Sequence, residues 1–351
     1  MTAREPTAGG EETRDRDRDA SDDGKSAERL RAGVIGVGSM GQHHARVYNE
    51  LPDVSLVGVA DADAARAEEI AARQGTTAYR RDALLDAVDL VSIAVPTAYH
   101  YEIARTCIEG GVHALVEKPF VADPANGEAL IDLAAERDVR VGVGHIERFN
   151  PAIEAARDLL ADEEIIAADA RRLGPPLDRE IEDSAVFDLM IHDIDVLLAI
   201  VGASPARVNA LGTHGNRYVD AQIGFADGVV ASLTASRVTQ EKVRKLSITA
   251  ESCWITIDYL SQSVELHRRS LPEYIERDGG IRYRHEGTVE RPMVESGEPL
   301  RRELAAFVAA VRDGSRPAVT AADGLAALTI AQRIEDLAAD PQRRPQPHPR
   351  Q

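Results

Sequence analysis

Two short stretches of this chain carry the side chains best suited to chemistry. The first is Val116-Glu117-Lys118-Pro119. Proline fixes its own φ and disfavours helix in the residue before it, so Lys118 leaves its element with an extended, held backbone. An ammonium there polarises a hydroxyl or carbonyl oxygen and lowers the pKa of a neighbouring base. Lys25, Lys118, Lys242 and Lys245 are the only lysines in 351 residues, which weakens the reading of Lys118 as one more surface charge.

The second stretch runs from Phe187 to Leu198 and contains Asp188, His192, Asp193 and Asp195. On a regular helix Asp188, His192 and Asp195 fall within a sector of about 60°, while Asp193 points well away. Apolar residues fill much of the remainder. His192 is the candidate general base for a hydroxyl proton, with a carboxylate holding its tautomer and supporting the imidazolium. A metal site is the weaker alternative, because no second His or Cys stands nearby, and a solvated helix face is the bland one.

A third motif supplies the partner for such chemistry. The apolar run 32–35 leads into Gly36-x-Gly38-x-x-Gly41, and Asp61 stands 20 residues beyond the last glycine at the end of a second apolar run. Gly36 permits the tight turn, Gly38 lets backbone approach a pyrophosphate, and Gly41 lets a helix pack close to the strand. That helix's N-terminus, at Ser39 and Met40, offers N–H groups to phosphate. Asp61 suits a ribose diol and repels a 2′-phosphate, which favours NAD over NADP, although Arg66 one turn later keeps NADP open.

Further candidates leave neighbouring strands. Pro96, Thr97 and His100 follow the run 88–95 and face the same sheet edge, with helix capping the alternative for Thr97. Glu117 belongs with them on the cofactor side. Arg148 and Asn150, in Gly144–Pro151, join two halves of the chain; Arg148 suits a phosphate-bearing ligand or a hinge ion pair. Arg171 and Arg172 end a strand where they could meet a diphosphate or balance an acidic surface.

The elements that must position these residues follow from periodicity. Strand-like runs at 32–37, 54–60, 76–79, 88–95, 112–116 and 139–143 alternate with helical runs at 40–50, 62–74, 99–109 and 124–138. That alternation predicts a doubly wound parallel sheet. The pattern then changes: helices at 151–160 and 183–201, and strands at 164–172, 206–213, 217–225, 229–237, 245–250 and 253–258. Asp227-Gly228 is a hairpin signal. Successive strands imply a mostly antiparallel open sheet with helices on one face, closed by helices at 299–313 and 321–339, the latter capped by Thr320 and Asp323. The expected organisation is an acidic disordered tail at 1–28, a nucleotide domain at 29–148, an α+β domain at 149–340 and a second tail at 341–351.

Composition excludes several classes. A net charge of −18 opposes nucleic acid and anionic membranes, and only −4 of it lies in residues 1–28. No apolar run reaches membrane-spanning length and no signal peptide stands at the start, so a soluble cytoplasmic protein is expected. Cys107 and Cys253 show no metal-ligand spacing, and no metal is expected. Many Asp, few Lys and few aromatics fit adaptation to high salt, while drift in a GC-rich genome would also replace Lys with Arg.

Gly36-x-Gly38-x-x-Gly41, Ala94-Val95-Pro96-Thr97-x-x-His100, Glu117-Lys118-Pro119 and Asp188-x-x-x-His192-Asp193-x-Asp195, in that order, resemble the Gfo/Idh/MocA family of NAD(P)-dependent oxidoreductases over about residues 30–340. The resemblance implies a Rossmann domain followed by an open sheet that often mediates dimers or tetramers. It also implies Lys118 and His192 as the catalytic pair, with Asp188 orienting substrate or imidazole. Gly144–Pro151 with Arg171-Arg172-x-Gly174-Pro175 is similar to the branch that oxidises the 3-hydroxyl of UDP-N-acetylglucosamine. A dehydrogenase of free sugars or inositol is the first alternative. A non-catalytic NAD-binding regulator is the second, and loss of Lys118 or His192 would have been its mark.

Overall fold

The computed structural model describes residues 29–176, 184–269, 273–277, 280–284 and 287–339. The two expected tails, and Asp183 at the expected start of a helix, lie outside the described residues. The first half alternates as its periodicity requires: β1 (Leu30–Ile35), α1 (Gly41–Glu50), β2 (Val54–Ala60), α2 (Ala64–Gln74) and β3 (Thr77–Ala78). A short α3 (Arg81–Leu85) precedes β4 (Leu90–Ile93), α4 (His100–Glu109), β5 (His113–Glu117), α5 (Pro124–Arg137) and β6 (Val141–Gly144). Five residues of α3 carry too little periodicity to stand out in sequence. The six strands form one parallel sheet in the order β3-β2-β1-β4-β5-β6. The order reverses between β1 and β4, so their carboxyl ends open the crevice where doubly wound sheets bind ligands.

The second half begins with α6 (Pro151–Leu160), where Pro151 is preset for a first helical turn and Asn150 accepts the Ala152 N–H as cap. Then come β7 (Ile165–Leu173) and a π-turn at Val186–Met190 that runs into α7 (Ile191–Val201). The strands β8 (Pro205–Thr213), β9 (Tyr218–Phe225), β10 (Val230–Ser236), β11 (Val243–Ala250) and β12 (Cys253–Asp258) match the alternating runs. Four more, β13 (Ser263–Arg269), β14 (Glu273–Arg277), β15 (Gly280–Arg284) and β16 (Gly287–Glu290), had no clear sequence signal. β16 shows why: it is an edge strand exposed at every residue, so no apolar alternation marks it. Eight of these strands form a sheet ordered β16-β13-β12-β11-β7-β10-β9-β8, antiparallel except for β7 with β10. Gly228 takes the hairpin between β9 and β10 at φ +100°.

The last helices, α8 (Pro299–Asp313) and α9 (Ala321–Ala339), fall where periodicity puts them, and Thr320 and Asp323 cap α9 reciprocally. Their destinations differ from the expected grouping. The apolar stripe of α8 (Leu300, Leu304, Phe307, Val308) packs on Val47 and Tyr48 of α1 and Leu115 of β5, completing the core of the nucleotide-type domain. α9 instead joins α6 and α7 over one face of the large sheet. Its Gly324 sits so close to β6 that an added Cβ would stand 2.5 Å from Val143. Among the described residues, no helix is long and apolar enough to cross a membrane.

Candidate active site

The glycine turn after β1 is closed on one side and open on the other. Gly36 has φ +85°, and a Cβ there would lie 2.7 Å from Ala94 O, while a Cβ on Gly41 would lie 1.8 Å from Gly36 O. At Gly38 a Cβ would meet nothing within 4 Å among the described residues, so the backbone there is open to them. α1 starts with no side-chain cap at Met40, and Ser39 and Met40 are exposed. Asp61 turns back toward this loop, accepting Val37 N–H at 2.7 Å and Asp63 N–H at 2.9 Å. Arg66 donates through Nε to Val37 O, which brings its guanidinium to the same corner.

Pro96, Thr97 and His100 leave β4 beside that turn. Thr97 begins a tight turn with no side-chain cap bond, so the capping alternative is not what it does. His100 is buried, with its ring nitrogens 2.9 Å from Pro119 O and Val95 O. It bolts the loop after β4 to the segment that follows Lys118.

Lys118 sits at the carboxyl end of β5, before a cis peptide bond to Pro119. Its Nζ donates to Asp188 O at 2.9 Å and contacts Asp188 Oδ1 at 3.3 Å. The other Asp188 oxygen pairs with Arg237. Burial alone would raise the Asp188 pKa, but Lys118 and Arg237 outweigh it and hold the carboxyl below its ordinary value. His192, four residues on, has its Nδ1 shut off from solvent without a hydrogen-bond partner among the described residues. Burial, then the charges of Lys118 and Arg172, press its pKa well below that of ordinary imidazole. A neutral ring beside an ammonium is the arrangement a general base needs.

The expected carboxylate–imidazole stripe is not formed. Asp188 bonds to cations, and Asp195 turns to Arg148 Nε and Nη2 at 2.7 Å each. Asp188 lies in the π-turn, in which Ile191 N–H reaches back to Val186 O. That turn widens the helix between Asp188 and His192, so angles counted at regular helical pitch do not apply. Asp193, which was expected to point away from the stripe, does so into the core, where it takes Arg172 at 2.8 Å through two oxygens.

The residues expected to touch substrate from the hinge are largely committed elsewhere. Arg172 is 3% exposed, bonded to Asp193 and to Glu147 at 2.7 Å, with its guanidinium 5.0 Å from the Tyr259 ring centre. Arg148 forms the hinge ion pair with Asp195, and its remaining terminal nitrogen lies 3.9 Å from Asp323. Asn150 spends its oxygen on α6 and its amide on Tyr259 O and Glu147. Arg171 lies exposed on β7.

Sequence reasoning missed a buried polar group beneath the site. His44, Tyr48 and Ser92 are each 0% exposed and linked by hydrogen bonds to Glu117. The signal was available, since His44 and Tyr48 are one turn apart on the apolar face of α1. Glu303 of α8 is also buried there, both oxygens lacking partners among the described residues. Arg237, at the end of β10, was passed over because an arginine after a strand carries no motif.

Both halves of the chain resemble known proteins. Residues 30–145 match the family model described as "Oxidoreductase family, NAD-binding Rossmann fold", and residues 159–256 match the "GFO/IDH/MocA C-terminal domain". Over 245 residues the chain is 38% identical to UDP-N-acetylglucosamine 3-dehydrogenase of Acidithiobacillus ferrooxidans, covering 68% of this chain and 77% of that one. It is 28% identical over 319 residues to inositol 2-dehydrogenase of Rhizobium meliloti, covering 86% and 94%. A solved structure of the Acidithiobacillus enzyme superposes with a TM-score of 0.79 at 32% identity, over 88% of this chain and 97% of that one.

Proposed function

The chain belongs to the Gfo/Idh/MocA family of NAD-binding oxidoreductases, and from that premise we propose that it oxidises a secondary hydroxyl of a sugar, the 3-hydroxyl of UDP-N-acetylglucosamine, with NAD as acceptor. The observation that carries the reading is Lys118 at the carboxyl end of β5, bonded to Asp188 four residues before His192, an imidazole that burial and then the Lys118 ammonium hold neutral. The residues fit a dinucleotide. Gly38 leaves a cradle that a Cβ would fill, the uncapped start of α1 offers N–H groups to the pyrophosphate, and Asp61 retains lone pairs for a ribose diol. When bound there, NAD supplies the hydride acceptor.

The side chains do the rest. His192 accepts the hydroxyl proton. Lys118, anchored by Asp188, donates to the same oxygen and stabilises the charge that develops as the proton leaves. Asp188, itself fixed by Arg237, holds the ammonium in place rather than taking the proton. Of the hinge residues, Arg148 keeps a terminal nitrogen without a short bond among the described residues and remains our candidate for the substrate phosphate. The nucleotide-sugar assignment rests on similarity to the Acidithiobacillus enzyme, which covers both halves of the chain. The similarity to inositol 2-dehydrogenase favours a second reading, a free polyol as substrate. A homo-oligomer fits the large sheet, whose outer face leaves Ile166, Leu211 and Trp254 exposed.

Reduced-nicotinamide absorbance tests all of this in one series: NAD or NADP with UDP-N-acetylglucosamine, free sugars or inositol, and a ketone trap. Turnover with the nucleotide sugar and a preference for NAD is expected. Turnover only with polyols moves the assignment to the second reading. Lys118→Met should cut kcat by about 10²- to 10³-fold while NAD still binds, as for loss of an oxyanion donor; retained activity in that variant overturns the mechanism.

A further inference from the structure

An unbroken hydrogen-bond chain runs under the site from α1 to Lys118. Tyr48 Oη lies 2.9 Å from Ser92 Oγ, Ser92 Oγ lies 2.9 Å from His44 Nδ1, and His44 Nε2 lies 2.9 Å from Glu117 Oε1. The Lys118 N–H then donates to Glu117 Oε2 at 3.1 Å. One placement of protons leaves no donor idle. Tyr48 O–H donates to Ser92, Ser92 O–H to a bare His44 Nδ1, and His44 Nε2–H to a charged Glu117. The chain starts at Tyr48 and passes through His44, three residues inside the helix whose N-terminus is suited to a pyrophosphate, and it ends on the backbone of Lys118.

We propose that His44 is a positioning residue that ties α1 to Lys118 through the Glu117 carboxyl, so that loading of the dinucleotide on α1 sets the lysine for reaction. The proposal rests on the reading of Lys118 given above. Four groups face the Glu117 carboxyl from the surrounding elements: His44 from α1, Lys118 beside it, Glu303 from α8 and His145 after β6. Glu303 and Glu117 are two acids in one buried space, and burial keeps Glu303 protonated with its pKa well above the ordinary value. Glu117 goes the other way. Burial would raise it, but His44 and Lys118 outweigh burial and lower it. The His44 hydrogen bond and the Lys118 charge thus favour the charge on Glu117, the acid bonded to the Lys118 backbone, over Glu303.

His44→Leu removes that donor, while His44→Gln can return an amide N–H to Glu117. In His44→Leu, kcat should fall about tenfold to a hundredfold, as for other lost supports of a functional group, with the KM for NAD nearly unchanged. Its kcat–pH profile should gain an ionisation on the acid side, where the unsupported Glu117 takes up a proton. His44→Gln should restore most of kcat and remove the added ionisation. Wild-type kcat and profile in a folded His44→Leu overturn the proposal, as does an equal loss in both variants with the profile unchanged. Nitrogen-15 spectra of His44 read the chain without turnover, which separates this inference from the choice of substrate. A ring protonated at Nε2 alone, whose Nε2 signal moves when NAD saturates the protein, is expected. A doubly protonated ring, or a signal indifferent to NAD, overturns it.

Discussion

At the scale of single residues, the proposed chemistry turns on an imidazole kept neutral by burial and then by a neighbouring ammonium. His192 has its pKa depressed first by burial and then by Lys118. Its stabilising effect is therefore full above the ordinary imidazole pKa and is lost as pH falls through the depressed value. The acid limb of kcat/KM should lie below about 6.5, the unperturbed imidazole value. In Lys118→Met the cation is gone, so the His192 titration, followed by proton NMR of the ring, should move upward. A titration that stays where it was would show the two are not coupled. The places of Lys118 and His192, at a strand end and on a helix, were legible, because lysine is scarce here, Pro119 constrains the strand-end position and the run around His192 is apolar. Their partners were not. Asp188 sits on a π-turn that a count at regular pitch cannot reveal, and the partner of Asp195, Arg148, is 47 residues away in sequence.

At the scale of elements, periodicity located nearly every helix and strand that is buried on one face. It could not say which core an amphipathic helix joins. α8 reads as a helix of the second domain because it follows that domain's strands, yet its stripe fills the first domain's core. The same placement buries Glu303, a carboxyl that no surface-exposure argument from sequence would have put there. Its pKa is raised by burial and by the charges of Glu117 and Asp195. A group raised in the folded state contributes stability below its unfolded pKa and loses it as pH rises through the folded one. Glu303→Gln keeps the neutral form at every pH. Its Tm relative to wild type should therefore improve steadily from about pH 5 to about pH 9. A Tm difference that does not change with pH would mean that Glu303 does not titrate in that interval.

At the scale of the whole molecule, two kinds of charge respond differently to salt. The acidic surface repels itself, and ions screen that repulsion as the Debye length falls from about 10 Å at 0.1 M to about 3 Å at 1 M. The ion pairs Arg172–Asp193 and Arg148–Asp195 are shielded from solvent and are screened much less, and breaking such a buried pair costs about 3–5 kcal/mol. Salt should therefore raise Tm across that range, measured by calorimetry at fixed pH. A flat or falling Tm would favour compositional drift over salt adaptation as the origin of the arginine-rich, acidic composition.

The return of α8 to the nucleotide-type domain has a consequence for how the protein is made. The chain completes that domain's sheet at Gly144, but Leu300, Leu304, Phe307 and Val308 seal its core only after the whole large sheet has been synthesised. At roughly 5–20 residues per second, a growing chain carries an unsealed apolar surface over α1 for roughly 10–30 seconds. A fragment ending before residue 299 would carry it permanently and should bind dyes that report exposed apolar surface. The first domain to leave the ribosome is thus among the last to be finished.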